Sequence, residues 1–433
     1  MTKLSQRPFD FRREASRPDG ATAHRSRGFT LVELMVAVVG GLIVSIVVFA
    51  LARDGSRFYR HEARIADAMM STLIGFDRLR ADIARAGFLS TPNVYRDPMF
   101  CGSTNQIANW PAQMQRLASI EISDDTTAGA NAVLNSAGIV PQELVLSGAY
   151  DSVERFPAVD VQANVSGSGY LVTLQSGIGP LARLDYANAV DKAQILAREF
   201  PTGRALRIVN ETGRVQFGRI SGTDATSAPV IQLADQPALN LPTAGTSLCT
   251  VKGTATLVNV VNFIRYRLVD VIDNTSSFPG YSYLFASAAD NPYEANRLEL
   301  MREELDVTGA PLSQEIVAEY AIDLQFGLTE VQLTGGSPTS LLTHGFRDPE
   351  VTNIAGVIGN NQTQHPQLVR TVRARLSVRS RDPDREGNVT AGGSVAAGLY
   401  RIGLGTANTT PFARVRTLQS DIFIPRQADV TWQ

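Results

Sequence analysis

A chain of 433 residues, 44% hydrophobic and 19% charged, holds enough apolar material for one large domain or two to three ordinary ones, which excludes a disordered chain. Its formal net charge of −2 excludes an overall basic field of the kind that holds nucleic acid, and only Lys3, Lys192 and Lys252 among its 40 basic residues are lysine. Two cysteines, Cys101 and Cys249, exclude a disulfide-dense scaffold and a cysteine-based zinc centre, and allow one bridge at most.

The chain opens on a basic segment. Residues 1–28 carry Lys3, Arg7, Arg12, Arg13, Arg17, Arg25 and Arg27 against Asp10, Glu14 and Asp19, an excess of positive charge that stays cytoplasmic. The uncharged run 34–52 follows. As a helix rising about 1.5 Å per residue it measures about 28 Å, close to the ~30 Å of a bilayer's hydrocarbon core. One crossing, with the bulk of the chain exported, is the expectation. Phe49-Ala50-Leu51-Ala52-Arg53 is a weak small-x-small site for an ordinary signal peptidase, whereas a cut before the apolar run leaves the helix attached. Glu33, just ahead of that run, is costly at a membrane and wants a partner. Gly40-Gly41, mid-span, lower helix stability and let a neighbouring helix approach closely.

Between 56 and 86 there is no proline, and Tyr59, Ala63, Ala66, Met70, Leu73, Phe76, Leu79 and Ile83 recur at three- and four-residue spacing. Arg60, Arg64, Asp67, Asp77, Arg78 and Asp82 fall elsewhere around the wheel. The helix is expected to continue as an amphipathic one lying on a sheet, with Gly87 as the stop and Pro92 soon after.

After Phe88 the pattern changes to short alternating or β-branched runs between Gly, Pro, Asn and Asp. Strands are expected at 120–123, 143–147, 159–165, 170–175, 206–210, 214–220, 230–233, 256–269, 297–302, 316–328, 369–379 and 415–424. The exported part is therefore β-rich.

The sequence holds no Gly-x-x-x-x-Gly-Lys-Ser/Thr, no Gly-x-Ser-x-Gly and no His-Glu-x-x-His. Its four histidines, His24, His61, His344 and His365, are scattered and read as surface residues. Residues 382–387, DPDREG, mimic the start of a calcium loop, but the twelfth position is Gly393 where a bidentate glutamate is needed, so a polar turn is expected. Arg370, Arg373, Arg375 and Arg379 read as the exposed edge or face of a strand.

Gly28-Phe29-Thr30-Leu31-Val32-Glu33-Leu34 resembles the class III signal of type IV pilins and pseudopilins: basic residues, a glycine, then Phe-Thr-Leu-x-Glu opening an uncharged helix. Residues 76–88, FDRLRADIARAGF, resemble the end of the first helix of PilW-type minor pilins and of the related J pseudopilin of type II secretion. Four later runs, at 265–268, 298–302, 316–326 and 370–379, occur in the order of the PilW-type C-terminal half.

The resemblance implies an α+β, pilin-like fold: a long N-terminal helix over 29–87, with its transmembrane part at about 34–52, packed on an antiparallel β-rich, enlarged head over 88–433. It implies that residues 1–28 are a cytoplasmic leader, removed after Gly28 by a prepilin peptidase that methylates the new amino terminus at Phe29. Glu33, then fifth in the mature chain, pairs with the free amine of an adjoining subunit and sets the register of one helix against the next. Gly40-Gly41 serve helix packing, or loosen the helix as it leaves the bilayer. The implied function is a structural minor pilin, not an enzyme, with no cofactor and no metal, which primes or tips a type IV pilus. Its implied partners are the prepilin peptidase, other minor pilins and the major pilin, the inner-membrane assembly platform and, before assembly, membrane lipid. A J-type pseudopilin is the alternative within the class; a single-span periplasmic binding protein or enzyme is the alternative outside it.

Two departures from the family stand out. Its cysteine follows the AGF element closely, whereas Cys101 follows Phe88 by thirteen residues, so a Cys101–Cys249 bridge and two free buried thiols both stay open. In an oxidising exterior, closing a loop of about 150 residues stabilises by about 4–5 kcal/mol in the chain-entropy model. The head is also larger than usual, with the excess at about 125–250 as a decorated sheet or an added module. A leader of 28 residues is long, in keeping with a start codon downstream of Met1.

Overall fold

The computed structural model describes residues 29–432, apart from 166, 178–180, 183–187, 243–247, 254, 273, 275, 285–293, 295, 336, 347–364, 382, 384–400 and 405–410. The leader 1–28, with Gly28 and His24, lies outside the described residues, as does the 382–387 turn apart from Pro383.

Helix α1, Leu31–Ala84, is unbroken. The chain up to Glu62 forms one compact unit and the chain from Ala63 forms another. In the first, Leu31–Ser56 has a mean hydropathy of 2.9 and none of its apolar window is buried, a helix long and apolar enough to cross a membrane.

In the second unit α1 packs through Thr72, Phe76, Leu79 and Ile83, all buried. Met70 and Leu73, expected on the same stripe, are exposed, Leu73 by 49%. The stripe enters the core only where the sheets reach it, and Gly75 is a point of close approach: a Cβ there would sit 2.3 Å from the Val317 carbonyl oxygen. Beyond α1, Gly87 takes a φ of 74°, which glycine adopts without steric cost, and its N–H donates to the Ser147 carbonyl at 2.8 Å.

The strands are β1 (Ile120–Asp124), β2 (Gln142–Gly148), β3 (Phe156–Ala163), β4 (Tyr170–Leu174), β5 (Ala205–Val209), β6 (Val215–Asp224), β7 (Val230–Leu233), β8 (Thr256–Val269), β9 (Glu299–Leu305), β10 (Pro311–Ala318), β11 (Ala321–Thr334), β12 (Ser337–His344), β13 (Val369–Arg379), β14 (Arg401–Gly403) and β15 (Phe412–Phe423). The long β8 serves two structures. Its second half pairs with β2 and β9, giving the antiparallel sheet β1-β2-β8-β9-β10. Its first half pairs with β3 on one side and β5 on the other, and β3-β4-β7-β6-β5 closes the path into an antiparallel barrel. Closure leaves no free strand along that path. Phe156, Val172, Ile208, Ile231 and Val258 fill the barrel's core, together with Leu196 of the helix Ala189–Glu199. Strands β3 to β7 all come from the stretch 125–250. A second sheet runs β12-β11-β13-β15-β14.

One core joins α1 to both sheets: Phe76, Leu79 and Ile83 meet Ile122, Leu144 and Tyr266 on one side and Leu324, Phe326 and Leu376 on the other. The architecture is thus α+β, a long N-terminal apolar helix followed by an antiparallel β-rich head.

Several expectations need correction. The single strand expected at 316–328 is two, β10 and β11, in different sheets, because Tyr320 turns the chain with a φ of 56°. Strand β13 is central, between β11 and β15, so Arg370, Arg375 and Arg379 are buried and only Arg373 is partly open. His344 is not a surface residue either: it is buried, with Nε2 3.3 Å from Glu330. His365 is half-buried, and burial pushes its imidazole below the usual range. The helix Ala189–Glu199 and strands β12 and β14 were not anticipated.

Candidate functional site at the first turn of the long helix

Thr30 precedes α1, and Glu33 is the third residue inside it. Thr30 Oγ1 accepts the Glu33 backbone N–H at 3.2 Å. In return Glu33 Oε2 accepts both the Thr30 N–H and the Thr30 hydroxyl, each at 3.0 Å. This reciprocal pair is a capping box: it satisfies two backbone donors that the first turn otherwise leaves unpaired, and it sets a carboxylate at the positive end of the helix dipole. Both bonds fall on Oε2. Among the described residues Oε1 accepts none, so one oxygen remains for a cation from outside the chain. The sequence reading missed Thr30, although the T-x-x-E spacing was there to see.

Phe29, 83% exposed, stands directly ahead of the cap. The structure therefore brings Phe29, Thr30 and Glu33 together. Gly40 and Gly41 lie about two turns further on. A Cβ at either would have no heavy atom within 4 Å, so that surface is open. The Ser45 hydroxyl donates to the Gly41 carbonyl at 2.8 Å, a back-bond that competes with the helix ladder and favours bending at the glycines.

The cysteines belong to the head. Cys101 and Cys249 form a disulfide with an S–S distance of 2.07 Å and Cα atoms 5.5 Å apart, closing a sequence separation of 148.

Charge in the head is used to join elements. Asp82 of α1 accepts from Arg302 Nε at 2.7 Å and from the Tyr266 hydroxyl at 2.8 Å, and its backbone carbonyl accepts the Tyr150 hydroxyl at 3.1 Å. Burial, then the charge of Asp82, pushes the Tyr266 phenol up, so it stays a donor. A second cluster gathers around buried Arg297, which pairs with Glu294 at 2.9 Å, with Glu319 at 3.1 Å and with Glu299, and lies 4.0 Å over the Tyr320 ring. Burial pushes the Glu299 carboxyl up to about 8 despite Arg297 beside it. Arg297 and Glu299 are shut off from solvent and tie β9 to the turn at Tyr320. Among the described residues no group of three or more His, Cys, Asp or Glu could hold a metal ion.

Comparison with protein-family models finds no match, and comparison with curated proteins finds none. Among solved structures, a type IV-like pilin from Thermus thermophilus is similar at 13% identity, over 58% of this chain and 100% of that one, with a TM-score of 0.18.

Proposed function

We propose that the chain is a structural subunit of the minor-pilin class, of the PilW type, and not an enzyme. Residues 1–28 act as a cytoplasmic leader, a prepilin peptidase cuts after Gly28, and α1 anchors the head on the periplasmic side of the inner membrane until it joins other minor pilins to prime assembly of, or sit at the tip of, a type IV pilus.

The observation that carries this reading is Glu33, an acid in the first turn of an exposed, uncharged helix, capped through one oxygen and open at the other. A plain anchor gains only the back half of a capping box from that residue, which an uncharged Gln would supply as well. In a bundle of such helices the second oxygen has a use, because the amine of Phe29 in an adjoining subunit becomes a cation once the leader is cut. An acid and an amine in a low-dielectric bundle each penalise any register that leaves the other unpaired. The same residues suit a J-type pseudopilin, and gene neighbourhood separates the two.

Mass spectrometry of the amino terminus from sheared surface filaments tests the proposal. An N-methylated Phe29 is expected. An intact Met1 in the membrane fraction, with no copy of the chain in filaments, would overturn it.

A further inference from the structure

Arginines placed inside the head find acceptors there: Arg204, Arg265, Arg297, Arg302 and Arg375 hold a carboxylate, and Arg85, Arg370 and Arg379 hold backbone carbonyls. Arg155, Arg207 and Arg426 make no such pair among the described residues, and they stand close enough for the charges of Arg155 and Arg426 to weigh on Arg207.

Strand register explains how they meet. On β8, Asn259 is opposite Arg207 of β5, and Val258 is opposite Phe156 of β3. Arg155 immediately precedes Phe156, so it enters β3 beside the Val258 level of β8, and Arg207 lies across β8, opposite Asn259. Asn259 Nδ2 donates to the Leu89 carbonyl at 2.8 Å. Beside Leu89, the Phe88 ring carries the Arg426 guanidinium 5.0 Å from its centroid. Arg155 and Arg426 are exposed and Arg207 is half-buried.

Nothing in the described protein uses these donors. Arg207 Nε is closed off from solvent with no hydrogen-bond partner, a cost in stability, while the two outer nitrogens of that guanidinium remain for a ligand. Burial pushes Arg207 down to about 10; Asp97 opposes that, and Arg155 and Arg426 add to it. Asp97 already accepts the Thr91 hydroxyl at 2.7 Å and the Met99 N–H at 2.8 Å, so it offsets one charge of three. Guanidinium forks match the oxygens of a phosphate group, and a phosphate offers more acceptor oxygens than a carboxylate.

We propose that the face where Arg155, Arg207 and Arg426 converge is a binding site for a phosphate group, borne either by a phospholipid headgroup or by a free phosphate monoanion or dianion. The site rests on the head alone and does not depend on leader cleavage.

The test is calorimetric titration of the full chain in neutral detergent with inorganic phosphate and, separately, with glycerophosphoglycerol as the headgroup. Saturable binding is expected, weaker at higher salt, and reduced about tenfold by Arg155→Gln and by Arg426→Gln, whose exposed side chains leave the core intact. Binding of glycerophosphoglycerol alone assigns the site to lipid, and binding of inorganic phosphate alone assigns it to the free ion; either supports the proposal. No saturable heat from either ligand, or binding unchanged when Arg155→Gln and Arg426→Gln are combined, would overturn it.

Discussion

Asp82 of α1 and Arg302 of β9 form a part-buried ion pair, Nε to Oδ2 at 2.7 Å, and the Tyr266 hydroxyl of β8 closes on the same Oδ2 at 2.8 Å. Helical spacing puts Asp82 among charges off the apolar stripe, yet it lies inside the helix–sheet contact. The contact is therefore held by directional bonds as well as by the packing of Phe76, Leu79 and Ile83.

Removing one member of such a pair leaves the other charge buried and unmatched. Asp82→Ala is expected to destabilise the head by about 3–5 kcal/mol, and Tyr266→Phe by about 1 kcal/mol. Denaturant unfolding followed by fluorescence checks both. A loss for Asp82→Ala no greater than the ~0.5 kcal/mol of an ordinary surface change would show that the pair does not anchor the helix.

Gly75 is the second contact point. A methyl group there meets the Val317 backbone, which cannot rotate away, so Gly75→Ala is expected to cost about 1–3 kcal/mol. Gly55, on the same helix with nothing within 4 Å of a Cβ, is the control: Gly55→Ala should be neutral, or stabilising by up to ~1 kcal/mol from helix propensity. Equal effects at the two positions would refute the close approach.

Glu299 links stability to pH. Its carboxyl is raised from 4.5 to about 8 by burial, so the folded state keeps that proton to higher pH than the unfolded chain does. Its contribution to stability is complete below about pH 4.5 and falls away as pH rises toward 8. Glu299→Gln mimics the protonated form and removes this dependence. The stability of the native chain relative to Glu299→Gln should therefore fall between pH 5 and pH 8 in paired denaturation curves; a constant difference would contradict the assignment.

The cap and the assembly role of Glu33 can be separated. Thr30→Ala removes the hydroxyl from the capping box, a loss of about 1 kcal/mol at the helix end, and should leave entry into filaments largely intact. Glu33→Ala should insert into the membrane and be processed, yet be missing from the sheared fraction on an immunoblot. Equal incorporation of the two variants would reduce Glu33 to a cap.

Strand positions were readable where the pattern is local. The expected runs at 256–269 and 369–379 coincide with β8 and β13, since β-branched residues mark strands whatever they pair with. Strand β12, SPTSLLTH, escaped notice because all but its last residue are exposed and among the described residues it pairs with β11 alone, so no hydrophobic alternation records it. The helix Ala189–Glu199 is capped by Asn188, whose Oδ1 accepts the Asp191 N–H at 2.9 Å, a local signal overlooked among strands.

By itself the sequence determined what neighbours along the chain decide: the basic start, the uncharged run, the acid at 33, and the stop at Gly87. Spacing along one helix is a short-range matter, and hydropathy adds residue by residue. Only the tertiary structure decided what depends on partners far apart in the chain. It closed β3 to β7 into a barrel on the first half of β8, split 316–328 between two sheets at Tyr320, and sank Asp82, Arg297 and Arg375 into the interior. A charge goes inside when a counter-charge or hydrogen-bond acceptors are waiting there, and the separations of Asp82 from Arg302 and of Asp323 from Arg375 leave no trace in local pattern.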